Sequence, residues 1–149
     1  MFTWTAKKGY AQDIATILDT VGTQELKTYK ILRLTNKISE KCHNSLEDIT
    51  RVQEELNDAM EPFRERMKGL TENEKKMIDE ESRPAAQEFV NRLNEIREEE
   101  IEIELSNDEH DFLSNSFMKV IVPQIRSARY AYSIGESLGV EEEEGEKKE

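Results

Sequence analysis

The sequence predicts a mainly α-helical protein, an elongated antiparallel helical hairpin or coiled-coil bundle with one short β segment at 101–105. Three observations predict it. An apolar residue recurs at every seventh position through Cys42, Ile49, Leu56, Phe63 and Leu70, and a second series, Ile31, Ile38, Ser45, Val52 and Ala59, shares its helix face. Hydrophobic and charged residues each make up 36% of the 149-residue chain, with only six Gly and three Pro, a composition closer to long helices than to sheets. Between Ile101 and Leu105 the period drops abruptly to two, with Ile101, Ile103 and Leu105 on one side and Glu102 and Glu104 on the other.

Taken in order, Phe2–Thr5 alternates aromatic and β-branched residues and reads as a short extended segment. Tyr10 to Val21 then repeats Ile14, Ile17, Leu18 and Val21 at helical spacing, stopping at Gly22. Thr23 is placed as N-cap of a long helix over 23–69, which at about 1.5 Å per residue would reach roughly 65 Å. Its outward positions carry both signs of charge, nine Lys or Arg and nine Asp or Glu between Gln24 and Leu70, as a solvated face requires. Pro62 should kink it near 59–62, and Gly69 should end it.

Thr71 with Glu74 forms a capping box that opens a second arm over 71–99, with a break and restart expected at Ser82–Pro84. A tight connection at 69–71 folds that arm back along the first. The strand at 101–105 needs a partner for its backbone, and Phe2–Thr5 or a strand of another chain can supply one. Ser106 with Glu109 is a second capping box, starting helices over 107–138 that Pro123 interrupts. One domain over 1–139 is expected, followed by a disordered acidic tail over 140–149.

The net charge of −12 sits in two places: nine acids against Arg97 alone between Glu95 and Asp111, and six acids against two lysines in 141–149. No basic stripe exists to displace counterions from phosphates, so direct nucleic-acid binding is not expected, whereas a basic protein surface suits the row Glu98, Glu99, Glu100, Glu102 and Glu104. No run of 18 apolar residues is present, and the first 22 residues lack the pattern of a signal peptide. The expected location is the host cytosol or a virion.

Candidate chemistry is thin. Cys42 lies in the heptad seam and reads as a small core residue; its neighbour His43 points about 100° away on the same helix. His110–Asp111 has the look of a metal pair, but the one other histidine, His43, is far away in sequence, and first-turn polarity explains it as well. Glu95 with Glu98 and Glu55 with Asp58 have the i, i+3 spacing of magnesium-binding helical hydrolases, a spacing that arises readily among 33 acids. No catalytic residue, cofactor, metal or small-molecule substrate is expected.

The stretch EFVNRLNEIREEEIEIEL, Glu88 to Leu105, places a helix, an acidic junction and an alternating Ile strand in succession. In that order, after a long charged helix and before another, it resembles small helical accessory proteins of tailed bacteriophages. The amino-terminal part, with Phe2 and Trp4, departs from that group. The resemblance implies an accessory or assembly protein acting through protein contacts, and it implies no catalytic residues. The expectation is therefore a non-enzymatic interaction protein that associates with itself or another protein through Ile38, Cys42, Ile49, Val52, Leu56 and Phe63. The alternative is an acidic inhibitor of a host nucleic-acid-binding or defence protein.

Overall fold

The structure is a computed structural model that describes residues 1–20 and 28–140. Along the chain these form β1 (Phe2–Lys7), α1 (Lys8–Thr20), α2 (Tyr29–Asn44), α3 (Glu47–Met67), α4 (Glu72–Arg97), β2 (Glu100–Leu105), α5 (Asn107–Ser116) and α6 (Ala128–Ser137). A π-helical turn, Phe117–Ile121, and a 3-10 turn, Val122–Gln124, follow α5. The protein is thus mainly α with one two-stranded antiparallel ribbon, as the sequence predicts. Its contacts divide into two compact units, one made of residues 1–45 and the described residues from Glu100 on, the other of Leu46–Glu99.

In the first unit β1 pairs with β2 from Phe2 opposite Leu105 to Lys7 opposite Glu100. The ribbon therefore has two chemically distinct faces. Trp4, Ala6, Ile103 and Leu105 are buried on one, and Thr3, Thr5, Glu102 and Glu104 are exposed on the other. Trp4 is fully buried, and its indole N–H donates to Ser137 Oγ at 3.0 Å, so the polar tip of the largest core residue is satisfied. The rest of the core comes from Ile14 and Leu18 on α1, Ile38 and Cys42 on α2, Leu113 on α5, and Ile134 and Leu138 at α6.

The single helix expected over 23–69 is two helices. It ends at Asn44 because the Ser45 N–H and hydroxyl take up carbonyls of the last turn, the hydroxyl donating to Lys41 O at 3.1 Å. Leu46 then turns with φ −119 and ψ 26 and buries its side chain. The local charges favour that interruption, with Lys41 and His43 in the last turn of α2 and Glu47 and Asp48 in the first turn of α3. The cap of α2 is Thr28, whose side chain accepts from Ile31 N. The expected cap Thr23, the stop at Gly22 and the tail 141–149 lie outside the described residues, as does Val21.

In the second unit α3 passes through Pro62 without ending, and α4 passes through Pro84, where a break was expected. A proline removes the hydrogen bond to the carbonyl four residues back, here Asp58 and Glu80. Both positions are exposed, so water can satisfy those carbonyls and the helices continue. Gly69, at φ +76, turns the chain after α3, and the Thr71–Glu74 capping box opens α4 as expected. The arms are antiparallel. Arg66 grips Glu81 with both guanidinium nitrogens at 3.1 and 2.9 Å, and the same number of residues down each arm Arg92 reaches Glu55 at 3.3 Å.

The helix expected to run from 107 into Pro123 keeps its capping box, Ser106 with Glu109, but changes winding at Phe117. The π turn buries Phe117 and Ile121, and the Phe117 ring occupies the space that the missing side chain of Gly135 leaves open. A Cβ at Gly135 would stand 2.8 Å from Phe117 Cε1. Gly135→Ala should therefore destabilise the protein by about 1–3 kcal/mol, measured as a lower urea midpoint at unchanged slope.

Candidate functional site

The residues predicted to form one seam are divided between the two units. Ile38 and Cys42 are fully buried in the first. Ile49 and Val52 are buried on α3 of the second, while Leu56 and Phe63 further along are only half-buried. The heptad count from Cys42 to Ile49 crosses the interruption at Ser45–Leu46, so the two positions do not lie on one continuous helix.

Cys42 is part of the core, and burial, followed by the nearby Asp19 charge, pushes its thiol up to about 12. It carries no thiolate at neutral pH and so lacks the form that attacks electrophiles. His43 turns away from it, with Nε2 2.8 Å from Asp19 Oδ2, and Ser39 Oγ donates to Asp19 Oδ1 at 2.5 Å. Burial raises the Asp19 carboxyl, but Ser39 and His43 outweigh that and hold it below its ordinary value. The serine bonds the carboxylate rather than the imidazole, so the three residues pin α1 to α2 and make no nucleophile–base pair.

A cleft of about 460 Å³ lies between α2 and the start of α5. Its floor is the Lys41–Glu109 pair at 2.6 Å, with Lys41 also donating to Glu104 O at 2.9 Å. Burial would raise the Glu109 carboxyl; the Lys41 ammonium and the Ser106 N–H overcome it and hold the group below its ordinary range. The walls set Arg33 and Lys37 against Glu40 and Asp108, so the cleft has no net charge with which to select an ion. The Lys41–Glu109 pair at its floor is used in capping α5 and tying it to α2 and β2.

His110 fills the role of a structural residue. Its Nε2 donates to Leu138 O at 2.7 Å, and its ring stacks on Phe2 with centroids 3.8 Å apart. Among the described residues, no group of three His, Cys, Asp or Glu side chains lies close enough to hold a metal ion.

The predicted acidic row is shorter than its sequence. Glu100, Glu102 and Glu104 follow the exposed face of β2, whereas Glu98 caps the end of α4 and Glu99 lies in the turn after it. Glu104 is engaged by Thr3 Oγ1 at 2.7 Å.

Sequence reasoning missed a feature of the hairpin. The Arg66 guanidinium lies 5.9 Å from the Phe63 ring centroid and that of Arg92 lies 5.6 Å from Phe89. Each arginine thus covers a phenylalanine on its own helix while it pairs with a glutamate on the other. The F-x-x-R spacing shared by Phe63–Arg66 and Phe89–Arg92 was the signal. What the hairpin leaves is an apolar strip, Leu56, Met60 and Phe63 against Ala86, Phe89 and Leu93, in which every side chain is half-buried.

The chain matches no family model, no curated protein and no solved structure.

Removal of Lys41 tests the cleft floor. Lys41→Ala strands a buried carboxylate and should cost about 2 kcal/mol, more than Glu109→Gln, which keeps a side-chain acceptor for the Ser106 N–H. Because the folded carboxyl titrates below its unfolded value, its contribution is complete above the unfolded value and fades as pH falls through the folded one. Wild-type melting should drop on acidification through that window, and the drop should shrink in Glu109→Gln.

Proposed function

We propose that this chain is a non-enzymatic helical interaction protein, an assembly component that works by burying the apolar strip of the α3–α4 hairpin. The observation that carries the reading is the half-buried state of that strip. Two antiparallel helices enclose a seam from one direction each, and the remaining area of Leu56, Phe63, Phe89 and Leu93 stays available to a third or fourth helix. Complete burial of such a side chain is worth about 1.5–3 kcal/mol, so several half-buried ones in register give a real drive to associate. The contrast within the molecule supports this, since Ile38, Leu105, Leu113 and Leu138 in the first unit are already fully enclosed.

In the setting implied by the resemblance of Glu88–Leu105, this is a phage accessory or virion-morphogenesis protein of the host cytosol or the particle. No helix among the described residues is long and apolar enough to cross a membrane. The test is the absolute mass in solution by light scattering at low and high salt. A stable oligomer is expected at both, and Leu56→Asp should abolish assembly or folding; an unchanged oligomer with unchanged melting in that variant overturns the reading.

A second reading rests on the exposed row Glu100, Glu102 and Glu104. Carboxylates two residues apart on a strand repeat at about 7 Å, a regular negative face that a basic surface of a nucleic-acid-binding or defence protein would fit. Glu102→Lys with Glu100→Lys should weaken such a complex and flatten its salt dependence, whereas an unaffected complex removes this reading.

A further inference from the structure

The ribbon has two outer edges, and they are not alike. Along an antiparallel pair, residues alternate between those that turn N–H and C=O toward the other strand and those that turn them away. The Glu104 carbonyl is taken by Lys41 Nζ at 2.9 Å, and the N–H of Ser106, next in the alternation, by Glu109 Oε1 at 2.8 Å. Glu100, Glu102 and Glu104 are therefore the residues of β2 that turn their main-chain groups away from β1. The register sets Thr3 opposite Glu104, Thr5 opposite Glu102 and Lys7 opposite Glu100, so these three are the outward-turned residues of β1. The bond from Thr3 Oγ1 to Glu104 Oε1 at 2.7 Å agrees, because side chains stand closest in the pairs that exchange no main-chain bond.

The β2 edge is guarded. Lys41 and Glu109, joined at 2.6 Å, cover its end, and any antiparallel second β2 would set glutamate against glutamate in every register. The β1 edge has no such guard. Thr3 and Thr5 are exposed, and among the described residues no group bonds the outward N–H or C=O of either. An open edge of this kind is a template for another strand.

β1 itself matches that template. With a two-fold axis at Thr5, an antiparallel second β1 pairs Thr5 with its copy and Thr3 with Lys7 on the exposed face, and sets Trp4 against Ala6 on the inner one. Threonines meet, a large side chain meets a small one, and no like charges are opposed. An axis at Trp4 would instead drive two indoles together. The pairing is also closed: a strand from any other protein would leave its own outer edge open, whereas the order β2–β1–β1–β2 ends on both sides in an edge that Lys41 and Glu109 already cover. We infer that a second copy of this chain pairs antiparallel along β1, about an axis at Thr5, to make one four-stranded sheet. This contact is separate from the hairpin strip and, being short, weaker, so it forms at higher concentration.

The experiment uses the full chain. Hydrogen exchange over a dilution series should show the Thr3 and Thr5 amides protected at high concentration and unprotected on dilution, while those of Trp4 and Ala6, held within the ribbon, stay protected throughout. Thr5→Pro deletes an N–H that the β1–β2 ladder does not use, at an edge where proline is tolerated. It should keep wild-type helix content by circular dichroism and sediment at lower mass than wild type at high concentration. Thr5→Cys should crosslink to its copy under mild oxidation, since opposed Cα atoms in such a pair lie about 5.5 Å apart. Glu102→Cys, three strand spacings or about 14 Å from its copy, should not; Cys42 is buried and does not compete. Threonine amides that exchange freely at every concentration, a Thr5→Cys chain that stays uncrosslinked, or a folded Thr5→Pro chain of wild-type mass overturns the pairing and leaves the hairpin reading standing. Crosslinking of Glu102→Cys in place of Thr5→Cys overturns the choice of edge. If Thr5→Pro fails to fold, exchange and crosslinking decide without it.

Discussion

The ribbon between Phe2–Lys7 and Glu100–Leu105 is the contact on which the first unit depends. It joins segments almost a hundred residues apart, and the buried side of the pair supplies Trp4, Ile103 and Leu105 to the core. Several other ties in that unit lean on it. Lys41 reaches across to the Glu104 carbonyl, His110 stacks on Phe2, and Ser137 accepts the Trp4 indole proton. Closing so long a loop costs entropy that grows only slowly with length, so the ribbon can hold residues 46–99 as an excursion without a large thermodynamic penalty. The cost falls on folding rate instead, because every pair in this ribbon is a long-range contact.

Much of that fold could be read from the residues. The period-two alternation of Ile101–Leu105 could satisfy only a strand, and Phe2–Thr5 offered the matching alternation. The two capping boxes, Thr71 with Glu74 and Ser106 with Glu109, fixed helix starts because the reciprocal hydrogen bonds need that spacing and little else. The interruption at Ser45–Leu46 was hidden by the heptad count, which continues in number although the helix does not continue in space. A hydroxyl returning to a carbonyl one turn back leaves no hydrophobic signature. Pro84 misled for the opposite reason: it forbids a hydrogen bond, but on an exposed face water can make up the loss, and α4 runs on where a break was expected.

The candidate sites divided along the same line. Residue types alone placed Cys42 in the core and kept His43 apart from it, and geometry agrees, because both side chains have found structural partners. The Lys41–Glu109 pair was not legible, since 68 residues separate its members and the capping box that marks Glu109 says nothing of a partner on α2. The division of the seam between two units was equally out of reach. It depends on where a helix stops, and a stop of this kind is set by a few local hydrogen bonds rather than by the periodic pattern that sequence reasoning weighs most heavily.

The two Arg–Glu clasps give the hairpin a natural unit of length. Because they recur after eleven residues on both arms, matched insertion or deletion of three turns in each arm would return every pair to the same side and keep each arginine over its phenylalanine. A change of about seven residues, 20° short of two turns, does the same, whereas one of about five or nine residues rotates one clasp away from the other. Changes in the length of this hairpin that keep the clasps together therefore come in steps of about seven or eleven residues, roughly 10 or 16 Å.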